Sequence, residues 1–146
     1  MNIEVKIKRL DPKLPPLEYK TAGAVAFDLP VREVVTIQPG ETKIVRTGYV
    51  IVPPEGHAAI LVPRSSNAKK LATMANCVGV FDQDFCGPED EWRIALYNIG
   101  TQPYTTQFGE RLGQILIVPI AKAQFREVED HELGPNRGGF GTTGLH

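Results

Sequence analysis

The sequence predicts an all-β domain, a sandwich or jelly roll of many short strands. Apolar residues recur with period two, or in short continuous runs, along most of the chain, the pattern of half-buried and buried strands. Turn sequences separate these runs at close intervals. Fourteen glycines and twelve prolines among 146 residues exceed an average chain's share, yet fall short of low-complexity disorder.

A first strand is expected over residues 3–10, where Ile3, Val5 and Ile7 alternate with charged side chains, ending at Asp11-Pro12 and Pro15-Pro16. The turn Gln38-Pro39-Gly40-Glu41 precedes an extended stretch at 43–52, and Pro53-Pro54-Glu55-Gly56 separates that from a strand at 58–62. Residues 67–75 alone read as helix, because they are rich in good formers and follow Ser65-Ser66, suitable N-caps. Strands return at 92–98, at 112–120 after the turn Phe108-Gly109-Glu110, and at 123–128. Residues 134–144 hold five glycines and no hydrophobic pattern that would pack. With no repeat and no linker, a single domain is expected.

Sixteen basic and seventeen acidic residues leave a formal charge of −1. No global field then draws the chain to nucleic acid or an anionic membrane, so any phosphate site must be local. The longest apolar run, residues 115–121, contains Pro119 and is far too short to span a bilayer. The N-terminal alternation lacks the apolar core of a signal peptide. Cys77, Cys86, His57, His131 and His146 match no zinc spacing, and two reduced cysteines in a cytoplasmic protein are the expectation.

Three segments carry chemistry. Pro63-Arg64-Ser65-Ser66 lies between a strand and the expected helix. There, unpaired backbone N–H groups, a guanidinium fork and a hydroxyl suit a phosphate; taken alone, the segment reads more readily as an ordinary turn with a capping serine. In the segment from Asn76 to Gly87, Asp82 and Asp84 are two apart, and an extended chain would turn both to one side. A carboxylate beside a phosphate site can orient and deprotonate water; the alternative is a polar hairpin end. In Arg137-Gly138-Gly139-Phe140-Gly141-Thr142-Thr143-Gly144 the glycines permit close backbone approach to an anion, and Phe140 suits stacking on a base. A solvated tail is the other reading. Asp28 and Gln114 are individually weak signals.

In order along the chain, residues 22–29, Pro63-Arg64-Ser65-Ser66, residues 79–87, residues 110–114 and residues 137–144 resemble the five motifs of the trimeric dUTPase family. Five motifs in the right order and spacing are highly specific. The resemblance implies a distorted jelly roll of the β-clip kind with one short helix, assembled as a homotrimer whose active sites draw on all three subunits. It implies a β domain over residues 1–133 and a glycine-rich arm, 134–146, that closes a site. The implied reaction is hydrolysis of dUTP to dUMP and pyrophosphate by water attack on the α-phosphorus, in the cytoplasm. No nucleic-acid or membrane partner is implied.

Carried over residue by residue, the resemblance makes Asp82 the water-orienting carboxylate. Arg64, Ser65, Ser66, Gln114, Arg137, Gly139, Thr142 and Thr143 match phosphate contacts. Asn76, Gly79 and Val80 fall where the family reads uracil, Phe85 where a ring packs on the deoxyribose and excludes a 2′-hydroxyl, and Phe140 where an aromatic covers the base. Mg²⁺ is implied, bound mainly by triphosphate and water, with Asp28 an indirect ligand at most. Triphosphate hydrolysis needs charge neutralisation, an in-line water and exclusion of solvent, which this set supplies.

Several positions depart from the pattern. Phe85 replaces a commoner tyrosine, Ser66 a usual glycine, and Pro88-Glu89-Asp90-Glu91 lengthens the third motif. The fifth motif is two residues short, which bears most on Arg137. The rival of like fold is dCTP deaminase, whose catalytic glutamate stands three residues before an asparagine. Here Ala95 precedes Asn98 in that place. A catalytically silent nucleotide-binding relative is a further rival, but it should have lost Asp82 or the arm.

Overall fold

The structure, a computed structural model, describes residues 3–139. Strands β1 (Lys6–Arg9), β2 (Phe27–Pro30), β3 (Thr36–Ile37), β4 (Thr42–Arg46), β5 (Tyr49–Val52) and β6 (His57–Val62) form the first half of the chain. After a 3-10 turn at Ser65–Lys69 come β7 (Ala72–Met74), β8 (Gly79–Phe81), β9 (Arg93–Asn98), β10 (Tyr104–Thr105) and β11 (Arg111–Pro119), then a 3-10 turn at Asp130–Glu132. A four-stranded sheet in the order β2-β11-β6-β8 and a three-stranded sheet, β4-β9-β7, are joined by the ribbons β1-β5 and β3-β10. Every pairing is antiparallel. The all-β jelly roll expected from the sequence is the fold.

The two sheets close on one apolar core. Leu29, Leu61 and Ile115 enter it from the larger sheet, and Val45, Met74, Ile94 and Leu96 from the smaller. Gly113 permits the contact, because a Cβ there would stand 2.7 Å from Leu61 Cδ1 and 3.4 Å from Ile94 Cδ1. At the edge of the core Glu91 is buried but fully paired. Its carboxylate accepts from Arg32 Nε (2.7 Å), Arg46 Nε (2.8 Å) and the Gly48 N–H (2.8 Å).

Three expectations need correction. Residues 67–75 are not a helix: the turn stops at Lys69, and Ala72, Thr73 and Met74 pair with Asn98, Tyr97 and Leu96 of β9. Ala72 and Met74 thereby enter the core, and this tertiary burial overrides good local helix propensity. The stretch 43–52 is two strands, broken at Gly48 (φ +82°), where a side chain would collide with Leu14 and Arg32. Residues 123–128 are no strand among the described residues. Their alternation is real, but Phe125 stands 96% exposed; a strand needs a hydrogen-bonding neighbour, and none is supplied within the described chain.

Candidate active site

The phosphate-side residues meet at one end of the larger sheet. Gln114 of β11 stands between Asp28 of β2 and Val62 of β6, directly opposite both. Residues opposite one another share a face, so Asp28 and Gln114 project together. Arg64, two residues past the end of β6, reaches over to them. Its Nε donates to Asp28 Oδ1 at 2.6 Å, and Arg111 Nη1 donates to Asp28 Oδ2 at 2.9 Å. Gln114 Nε2 donates to the Pro63 carbonyl at 3.0 Å, which ties β11 to the chain just before Arg64.

A bulge makes this convergence possible. Arg111 pairs with Pro30 and Gly113 with Leu29, so one extra residue of β11 is inserted between them. In a regular strand, side chains three apart point to opposite faces. The inserted residue cancels that, and Arg111 and Gln114 arrive at Asp28 from the same side. Sequence reasoning did not single out Arg111, because no periodicity reveals a bulge.

The turn Ser65–Lys69 is anchored from both ends. Ser65 and Ser66 are exposed and Arg64 occupies the N-cap, so the serines lie inside the first turn rather than capping it. Asn67 is buried and donates Nδ2–H to the Leu112 carbonyl at 2.9 Å. Lys70 Nζ reaches Glu110 Oε1 at 2.8 Å, and the Tyr104 hydroxyl donates to the same oxygen. Burial pushes the Glu110 carboxyl up, but Lys70, Tyr104 and the Gln107 N–H outweigh it and hold it below the usual carboxylate value. Burial, then the Glu110 charge, pushes the Tyr104 phenol up. A charged Glu110 therefore braces the start of β11 against the turn bearing Arg64.

The third-motif residues belong to the opposite end of the same face. The chain bends at Cys77 (φ +59°), where Asn76 Nδ2 donates to the Val78 carbonyl at 3.3 Å. Gly79, Val80 and Phe81 then pair with Leu61, Ile60 and Ala59. Because β8 is the last strand of its sheet, backbone N–H and C=O groups on its free edge are available to a ligand. Asp82 and Asp84 do not share a strand face as expected. Both are exposed in a turn after β8, where the Phe85 N–H donates to the Asp82 carbonyl at 3.4 Å. Asp82 lines a cavity of about 410 Å³ with Val80, Ile120 and Lys122.

The outward face thus has two polar ends and an apolar middle. Asp28, Gln114 and Val62 form one row; Leu116, Ile60 and Val80 form the next but one. Asp82 lies past that row. With ~3.3 Å per residue along a strand and ~4.8 Å between strands, Asp28 and Asp82 stand on the order of 20 Å apart in one chain. One chain therefore brings Arg64, Arg111, Gln114 and Asp28 together, with Ser65 and Ser66 beside them, but not Asp82 or Phe85. Arg137 and Gly139 are exposed in the last described residues. Phe140, Thr142 and Thr143 lie outside the described residues.

Asp28 keeps lone pairs free beyond the one guanidinium contact on each oxygen, so it fits a water-mediated role towards Mg²⁺. Among the described residues no group of three or more His, Cys, Asp or Glu could itself hold a metal. Among them also, no helix is long and apolar enough to cross a membrane.

The family model described as dUTPase matches residues 13–144. The deoxyuridine 5'-triphosphate nucleotidohydrolase of Neisseria meningitidis serogroup A is 41% identical, over 100% of both chains. Among solved structures, a dUTPase from Streptococcus mutans is 27% identical with a TM-score of 0.73, covering 82% of this chain and 98% of its own. A mutant dUTPase of phage 80alpha is 22% identical with a TM-score of 0.84, covering 97% and 99%, and supports the fold alone.

Proposed function

The chain belongs to the dUTPase family, and from that premise we propose that it hydrolyses dUTP to dUMP and pyrophosphate in the cytoplasm, keeping uracil out of DNA and supplying dUMP for dTMP synthesis. The observation that carries the proposal is the two-ended outward face. Arg64, Arg111, Gln114 and Asp28 gather at one end, while Asp82 and Phe85 lie on the order of 20 Å away. Phosphate contacts and a water-orienting carboxylate so far apart serve one reaction only if different copies of the chain supply them. The half-buried Ile60, Leu116 and Val118, with exposed Val80, between these ends offer the apolar surface that copies bury against one another. A homotrimer with shared sites is the corresponding assembly.

In that assembly Arg64, Ser65, Ser66 and Gln114 hold the triphosphate, aided by Arg137, Gly139, Thr142 and Thr143 of the arm. Asn76 and the free edge of β8 at Gly79 and Val80 pair with uracil. Backbone donors and acceptors in a fixed order reject cytosine, whose pattern differs, because mismatched polar groups would be left unpaired. Phe85 packs on the deoxyribose and Phe140 covers the base. Asp82 holds a water and takes its proton as the oxygen attacks the α-phosphorus. A bound Mg²⁺ would supply charge neutralisation for the triphosphate, and Asp28 would hold it indirectly, through water.

Incubation with Mg²⁺ and each of dUTP, dCTP, dTTP and UTP tests the proposal. Pyrophosphate from dUTP alone is the expected result. Ammonia from dCTP, or no product from dUTP, would overturn it.

A further inference from the structure

Phe81 and Trp92 stack ring on ring, with centroids 3.6 Å apart and planes 5° apart. Trp92 is completely buried, and its main chain is held on both sides. Its N–H donates to the Tyr49 carbonyl at 2.8 Å, and its carbonyl accepts from the Thr47 N–H at 3.2 Å and Thr47 Oγ1 at 2.7 Å. Glu91, immediately before it, is locked by Arg32, Arg46 and Gly48. The indole is therefore a fixed floor. Its Nε1 finds no hydrogen-bond partner among the described residues, so the position uses the flat ring and not the polar handle.

Phe81 is the last residue of β8 and lies opposite Ala59, whose side chain is buried. Its ring turns inward onto Trp92, and in an extended chain the next side chain turns the other way. Seating Phe81 therefore aims Asp82 outward. The chain then doubles back, and the Phe85 ring comes to 6.4 Å from Phe81 with planes tilted by 40°. A second tie holds the turn: Gln83 Nε2 donates to the Pro54 carbonyl at 2.9 Å.

We infer that the Trp92–Phe81 stack is the positioning element that fixes the Asp82 carboxylate and the Phe85 ring together, and so sets how strictly the site rejects a 2′-hydroxyl. This rests on the proposed function, in which Phe85 faces the deoxyribose. Excluding one oxygen by shape needs a wall that does not yield. Phe85 is itself 39% exposed, and the described ring contact beneath it is Phe81, which rests on Trp92. With an aliphatic side chain in either supporting place, the ring can tilt away and admit the ribose.

The test compares kcat/KM for dUTP and UTP, with Mg²⁺, in the wild type and in Trp92→Phe, Trp92→Leu and Phe81→Leu. Both leucine variants are expected to lower the dUTP-to-UTP ratio by about tenfold, with kcat for dUTP falling as well. Trp92→Phe, which keeps a ring in the stack, should retain the wild-type ratio. An unchanged ratio in a folded leucine variant overturns the inference. Trp92 is the sole tryptophan of the chain, so its emission also reports on the stack. If both leucine variants fail to fold, Phe81→Met, which fills the space without a flat ring, decides: a lowered dUTP-to-UTP ratio supports the inference, and an unchanged ratio overturns it. A wild type that releases no pyrophosphate from dUTP removes the proposed function and this inference with it; altered selectivity can be judged only where dUTP is turned over.

Discussion

Arg64 Nε and Asp28 Oδ1 stand 2.6 Å apart, an ion pair between the segment just past β6 and β2, formed across β11. Asp28 also holds Arg111, so one carboxylate aligns two guanidinium groups that would otherwise repel each other.

Replacing Asp28 by asparagine keeps the shape and removes the anchoring charge. Arg64 and Arg111 then lose their alignment, and KM for dUTP should rise by about tenfold at saturating Mg²⁺. Steady-state kinetics checks this. An unaltered KM at saturating metal would leave Asp28 with no part in holding Arg64.

Asp82→Asn retains a side chain able to hold water but unable to take its proton. The expected fall in kcat is about 10²–10⁴-fold, with binding of a non-hydrolysable dUTP analogue preserved in a calorimetric titration. Turnover at the wild-type rate would remove Asp82 from the mechanism.

The arm can be removed without touching the β core, which ends at Pro119. A chain stopped before Arg137 should lose most activity yet sediment as the same oligomer as the full chain. A fully active truncated protein would make the arm dispensable.

Glu91 makes stability depend on acid. Burial pushes its pKa up, but the Arg32, Arg46 and Gly48 donors outweigh burial and hold it below the ordinary 4.5. A depressed folded-state pKa means that the stabilisation is complete above the unfolded value and is lost as pH falls through the folded one. Denaturant melts from pH 7 downward should show stability declining below about 4.5. Glu91→Gln should flatten that decline and cost about 3 kcal/mol at pH 7, since it leaves Arg32 unpaired at the core edge. Equal acid sensitivity in both proteins would exclude Glu91 as the source.

The chain itself carried the fold class, since period-two burial and frequent turns are local properties. It also carried the family, because the order of the motifs holding Arg64, Asp82, Gln114 and the glycine-rich arm is written along the chain. The short strand Ala72–Met74 was not legible there. Its sequence favours helix, and only the open edge of β9 makes it a strand.

The same distinction divides the site. Sequence order placed Asp28, Arg64 and Gln114 in three separate motifs; it took the antiparallel register of β2, β11 and β6 to set Asp28 and Gln114 in one row beside the end of β6, where Arg64 reaches them. Arg111 joined them through a bulge, which side-chain periodicity does not encode. The stack of Phe81 on Trp92 unites the end of β8 with the residue just before β9, a contact that motif order does not encode. Residue chemistry is local and survives in the linear chain. Which groups face one another depends on strand register and burial, and these are decided only when the whole core closes.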